Sequence, residues 1–354
     1  MFTKRAKGYG MCFIGIMLLT PDTLFIRLLQ HLPDVTVLFL RCIIPATSTT
    51  ILMLCIDAKL FISTFKGIGV VGAIAGVLFG ASHMLFTFAV QRTAVANVVV
   101  INSSSSIFSS ISAYFIYGEK IPLRIFVVIL VCLGAILLVF SSSFNGDDSS
   151  FVGGILTIGS AISVGVYFTL CRYKSMLCGS SNSNIDTKTE EIMDVLAYSV
   201  FGFLLASIVC LCIGVDFHLV TGYDIGILMI NGFFVLSFSF LLLTIGPLYI
   251  ISAEVSLFFV IETILGPVWV YAAGYEAPPP FTVYGGICII LALACNSILA
   301  LREELPSLDI SNVDANEDAD TSPTNDIELS PYRMVSDDEA IHSLTKWWIV
   351  AGEA

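Results

Sequence analysis

The chain has 354 residues, of which 56% are hydrophobic and only 12% charged, and its mean hydropathy is +0.92. Soluble domains carry about a quarter charged residues, so this composition excludes an ordinary water-soluble domain and points to a chain solvated by lipid. The formal charge of −12 is a property of the end of the chain: residues 303–354 hold 13 acidic side chains against Arg333 and Lys346, leaving 15 acidic and 14 basic residues elsewhere. A nearly neutral body with no basic face excludes a nucleic-acid binder.

About 20 apolar residues span a bilayer as a helix. The first span is predicted at 8–29, kinked at Pro21-Asp22 and carrying Asp22 and Arg27. Lys4, Arg5 and Lys7 precede its apolar run, but no small-x-small cleavage site follows, so this helix is read as retained rather than as a signal peptide. The second span, 34–56, carries Asp34 and Arg41. Charge-free windows at 67–91, 94–118 and 125–146 complete a first half of five spans. A second half follows at 151–171, 195–215, 225–245, 250–273 and 277–301, with Gly246-Pro247 turning the chain between its third and fourth spans. The one sizeable internal loop is expected at 174–191, rich in Ser and Asn.

Residues 94–142 and 251–299 run the same pattern of apolar helix, acidic-and-proline junction and apolar helix. Aligning Glu119 with Glu276 also aligns Pro122 with Pro279 and Ala96 with Ala253. With the N-terminus inside, Lys4, Arg5, Lys7, Lys59, Lys66, Lys120, Arg124, Arg172, Lys174, Lys188 and Arg302 collect on the cytoplasmic side. Only Arg92 and Arg27 fall on the other, so both termini are read as cytoplasmic. Five spans per half then place Glu119 inside and Glu276 outside, which makes the repeat inverted.

The expected fold is therefore an all-α polytopic membrane protein. It has ten transmembrane helices as two inverted five-helix repeats (1–147 and 148–301) and a disordered acidic cytoplasmic tail (302–354). The tail carries an aromatic patch, Trp347-Trp348-Ile349-Val350, which suits a membrane surface, a cytoplasmic protein partner or simple exposure.

Carboxylates within the bilayer are the sharpest candidates for function. Glu262 lies halfway along span nine and Glu254 two turns earlier; eight residues put them roughly 80° apart, so both can face one cavity. A charge facing lipid at that depth costs about 2.5–3.5 kcal/mol, so such groups turn inward. Glu262 reads as a proton carrier or substrate ligand, or else as a packed neutral acid bonding a neighbouring helix. Arg41, two turns into span two, is its natural counter-charge, an anion ligand, or a side chain snorkelling to the surface. Asn102, Ser103, Ser104, Ser105 and Ser106 in span four form either a hydrogen-bonding cavity wall or a close-packing face. Thr263 and Asn231 are weaker cavity candidates. Gly266-Pro267 favours a break beside Glu262, or a bend. Glu119, Pro122 and Glu276 mark the helix junctions.

The ten cysteines and four histidines show no metal-ligand or disulfide-framework spacing. HExxH, GxSxG, P-loop and dinucleotide motifs are absent, so no enzyme, cofactor or metal is expected.

These stretches resemble the EamA-type branch of the drug/metabolite transporter superfamily. The likeness rests on Leu38-Phe39-Leu40-Arg41, on Arg92-Thr93-Ala94-Val95-Ala96-Asn97 through Gly118-Glu119-Lys120-Ile121-Pro122, and on Ile261-Glu262-Thr263-Ile264-Leu265-Gly266-Pro267 through Tyr275-Glu276-Ala277-Pro278. It covers roughly residues 8–301. Ser106 and Thr263 stand where family members often have proline, and spans eight to ten lack the basic residues of the branches that carry strongly anionic substrates. The resemblance implies secondary transport of a small metabolite. Together with the intramembrane polar residues it leads to the expectation of a secondary active transporter with a central cavity between spans two, four, eight and nine, coupled to protons or exchange. The alternatives are a nucleotide-sugar or other organelle antiporter with Arg41 as anion ligand, and a non-transporting scaffold acting through the tail. A plasma-membrane location is expected over an endomembrane one. A small-molecule substrate, the bilayer and a second copy of the chain are the expected partners.

Overall fold

The computed structural model describes residues 4–118, 148–178, 185–245 and 252–292, with isolated positions between 127 and 138 and at 295. The elements are α1 (Lys4–Leu19), α2 (Asp22–Leu28), α3 (Asp34–Lys66), α4 (Gly69–Arg92), α5 (Val95–Asn102), α6 (Ser105–Tyr117), α7 (Asp148–Cys178), α8 (Ile185–Ile213) and α9 (Gly222–Met229). A π-helical segment (Ile230–Phe238), α10 (Ser239–Ile245), α11 (Ser252–Ala272) and α12 (Pro280–Ala292) follow. Among the described residues all regular structure is helical. That is what an apolar chain requires, because a helix satisfies its backbone polar groups within the segment.

Among the described residues, seven stretches are long and apolar enough to cross a membrane: Tyr9–Leu28, Asp34–Cys55, Gly69–Arg92, Val95–Ile116, Ser150–Lys174, Ile192–Ile213 and Gly222–Leu243. Ile261–Ala272 and α12 are shorter apolar helices. The expected span at 125–146 falls largely outside the described residues, as does the whole tail from residue 302. Large apolar side chains such as Val70, Val77, Ile208 and Leu211 are exposed on the bundle exterior, the arrangement expected where lipid is the solvent.

The interior is built on α4, which packs against both α7 and α8, while α3 lies along α8. Phe79 of α4 is fully buried among Tyr167, Phe203 and Phe240. Small residues set the α4–α8 spacing. A methyl group added at Gly202 would clash with the Gly76 backbone carbonyl, and one at Gly80 with that of Gly202. The two backbones touch there, as small-residue interfaces in membranes allow.

Three breaks shape the core. The first comes at Thr20-Pro21, between α1 and α2, where the sequence places the kink. A second falls at Ser103-Ser104, splitting the expected fourth span into α5 and α6; the two hydroxyls bond the Val100 and Ile101 carbonyls. Consecutive serines that bond nearby backbone compete with the helix's own ladder. The third is the π-helical segment, whose Gly232 packs on Ile44 and on Pro45, the proline within α3.

Two expectations need correcting. The polar loop at 174–191 is shorter, since α7 continues to Cys178 and α8 begins at Ile185. Nor is span nine broken at Gly266-Pro267: α11 runs through Pro267 without interruption. Gly266 faces Val99 and Thr23 at a spacing that would leave room for a methyl group. Both junctions of the sequence repeat follow a glycine at positive φ, Gly118 at 68° and Gly274 at 79°, the usual way to stop a helix.

Substituting Gly202→Val should destabilise the protein by about 1–3 kcal/mol through overpacking. Thermal unfolding in detergent measures this, and an unchanged midpoint would contradict the α4–α8 contact.

Candidate functional site

One cavity of about 100 Å³ lies inside the bundle, lined by residues from both sequence halves. Asp22 (α2), Arg41 (α3), Ser82 and His83 (α4), Asn102 and Ser105 (α5 and α6), Ser160 (α7) and Glu262 and Thr263 (α11) supply its polar surface. Phe86, Phe168 and Phe240 supply aromatic walls.

Arg41 and Asp22 are the centre of it. The Arg41 Nη2 donates to Asp22 Oδ2 at 2.5 Å, and the two side chains are only 2% and 7% exposed. Asn231 Nδ2 of the π-helical segment donates to the other carboxylate oxygen at 3.0 Å. Asp22 opens α2, where the unpaired amides of a first helical turn favour a carboxylate. The break before it brings this turn against α3. Arg41 is thus buried and does not snorkel, and its salt-bridge partner is Asp22 rather than the expected Glu262. Glu262 remains half-buried on the same cavity.

His83 packs its ring on Phe79, with centroids 4.5 Å apart, and on Phe203 at 4.8 Å. Across the cavity, Ser160 Oγ donates to the Ser82 carbonyl at 3.0 Å and reaches Asn102 Oδ1 at 3.4 Å. The serine-rich stretch of span four therefore divides its work. Asn102, Ser103 and Ser105 line the cavity, while Ser104 is buried on its own backbone. Trp269 Nε1 donates to Thr20 Oγ1 at 3.0 Å, anchoring α11 to the α1–α2 break.

A second charged cluster ties the elements together just beyond the cavity. Arg27 pairs with Glu276 at 3.0 Å and also donates to the Thr93 carbonyl at 2.5 Å. The other Glu276 oxygen accepts the Val95 amide, at the start of α5, at 2.5 Å. Arg27 lies on the same short helix as Asp22, and Val95 one turn before the cavity residue Val99. Nearby, Arg92 pairs with Asp34 at 3.1 Å.

Of the candidates from sequence, Arg41, Asn102, Ser105, Glu262 and Thr263 line one cavity, and Asn231 stands behind Asp22. The Ser106 and Glu254 side chains, and Glu119 and Pro122 entirely, lie outside the described residues. Glu276 bonds two other elements, and Gly266 and Pro267 lie within a continuous helix. Sequence reasoning missed Asp22, His83, Ser82 and Ser160. Asp22 carried a usable signal, an acid directly after a proline break inside an apolar span; the others became cavity residues only through the packing of α4 on α7.

Apolar helices enclosing a polar, charge-bearing cavity define the chain as an integral multi-pass membrane protein. Its residues 6–141 match the model of the EamA-like transporter family, so the resemblance to an EamA-type transporter of the drug/metabolite transporter superfamily holds over that segment. A membrane transporter of small solutes is the class this match supports. One solved crystal structure of a protein, 16% identical, aligns with a TM-score of 0.58 over 84% of this chain and 98% of that one, a likeness in fold. Among curated proteins none matches the chain.

Removing one partner of a buried ion pair strands the other, at about 3–5 kcal/mol, whereas replacing both with apolar groups is often neutral. Arg41→Met should therefore lower stability markedly, and Arg41→Met with Asp22→Leu should recover most of the loss. Thermal unfolding of the two variants checks this; additive losses would contradict the pair.

Proposed function

We propose that the chain is a secondary active transporter that moves a small metabolite by alternating access, with ten spans in two inverted repeats and both termini cytoplasmic. The observation that carries this reading is the shared cavity: Asp22, Arg41 and Asn102 from one half of the sequence face Ser160, Glu262 and Thr263 from the other. A site between two repeats becomes accessible from alternate sides when the repeats rock about it.

In this scheme Glu262 is the coupling group. It binds a proton or a cationic part of the substrate, and its charge changes inside a low-dielectric site where electrostatic energies are large. The Arg27–Glu276–Val95 tie, which joins the two sequence halves, serves as a closure at one end of the cavity. By the distribution of basic residues that end is the outer one.

The geometry favours a small metabolite over a nucleotide sugar. Drug-sized ligands occupy pockets of about 300–1,000 Å³, well above this cavity of about 100 Å³. Arg41 is the Lys or Arg among the described lining residues, and Asp22 already neutralises it. A scaffold acting through the tail gives no reason to bury charges around a cavity.

Glu262→Gln keeps the shape of the side chain and removes its proton chemistry. Reconstituted in proteoliposomes, this variant should fold and lose the pH-dependent part of its flux, by a factor on the order of the 10²–10⁴ that positioned proton-transfer groups contribute in catalysis. Flux with the wild-type pH dependence would overturn the coupling role.

A further inference from the structure

We propose that Asp22 is the charge-selectivity residue of the cavity, admitting uncharged or cationic solutes and rejecting anionic ones by occupying Arg41. The inference rests on the transporter reading in taking the cavity as the substrate site, and it goes further by assigning the class of solute and the residue that sets it.

Four observations meet here. Asp22 and Arg41 both line the cavity, and their contact at 2.5 Å matches the one guanidinium charge with one carboxylate. Asn231 holds the second Asp22 oxygen at 3.0 Å, so the carboxylate is fixed from behind. The Arg41 Nε and Nη1 are buried and have no hydrogen-bond partner among the described residues. Finally, among the described lining residues the other carboxyl group is Glu262, and the remaining titratable group is His83.

Buried donors on a guanidinium call for an acceptor, because leaving them unpaired is unfavourable. The pairing with Asp22 determines which acceptor fits. An amide, carbonyl or hydroxyl oxygen that reaches these sealed donors as the cavity opens takes their hydrogens without adding charge. A carboxylate or phosphate there would place a second anion on a guanidinium already matched by Asp22. Like charges brought together in this way exclude partners rather than bind them. Phe86, Phe168 and Phe240 give the rest of the solute an apolar or aromatic surface. Arg41 thus acts as a hydrogen-bond donor, and Asp22 keeps it from acting as an anion site.

Benzamide and benzoate test this directly, since they share a ring and differ in whether the acceptor group is charged. Their affinities are measured by isothermal titration calorimetry on the purified full-length protein in detergent near neutral pH. The wild type should bind benzamide at least about tenfold more tightly than benzoate. In Asp22→Asn that preference should fall by about tenfold or reverse, Asp22→Glu should restore it, and adding Arg41→Gln to Asp22→Asn should remove the gained benzoate binding.

A merely structural Asp22 would weaken both probes alike and leave their ratio unmoved, which overturns the proposal. So does a wild type that prefers benzoate, a result that needs no variant to fold. Absence of binding by either probe also counts against it. Because the ratio is read without flux, its failure leaves a positive proteoliposome result standing, and a failed flux experiment leaves the ratio standing.

Discussion

A guanidinium group buried in an apolar helical bundle imposes the main constraint on this structure. Arg41 is 2% exposed, and an isolated charge at such a site is too unfavourable to persist without a partner. Asp22 meets that need: the chain breaks at Thr20-Pro21 and starts a new helix at Asp22, whose carboxylate reaches Arg41 of α3. The π-helical segment, packed on the Pro45 turn of α3, then brings Asn231 behind the carboxylate. Two irregular features of the backbone, the break and the π-helical segment, thus converge on one ion pair. Such pairs seldom stabilise a fold beyond what apolar packing would give, so their retention inside a cavity makes sense as chemistry.

The cavity and the end tie hold two sets of charged residues of the membrane body. Asp22, Arg41 and Glu262 face inward, while Arg27 and Glu276 hold the α5 start and the α11–α12 junction together. The two sets share helix α2, which carries Asp22 at its start and Arg27 near its end. A shift of α2 that loosens the Arg27–Glu276 contact would therefore move the Asp22–Arg41 pair as well. In the proposed cycle this gives a short mechanical path between the closure and the site, through one rigid element rather than a chain of side chains.

Much of this was legible in the sequence because lipid imposes simple rules. Length and hydropathy located the described spans, and the intramembrane charge of Glu262 and Arg41 marked residues that must turn inward. What escaped was decided by geometry between helices. Arg41 was matched to Glu262 because both are charged and deep, yet the partner is the residue that a proline break folds back onto it. His83 looked isolated along the chain and is a cavity residue only because α4 is central. Gly266-Pro267 suggested a break or a bend, yet α11 runs through both residues as one helix. Serine runs, conversely, proved stronger helix breakers than their propensity suggests, since Ser103 and Ser104 both bond back to the preceding turn.

The central claim is that this cavity is the route of a solute and opens to each side of the membrane in turn. It is tested most directly by placing one cysteine at Ser103, on the cavity wall, in a background lacking the ten native cysteines, and probing it in proteoliposomes with a membrane-impermeant thiol reagent. The account predicts labelling from either face, and a change in the favoured face when the external pH is shifted. A cysteine reached from one face only, whatever the pH, or from neither, would contradict it.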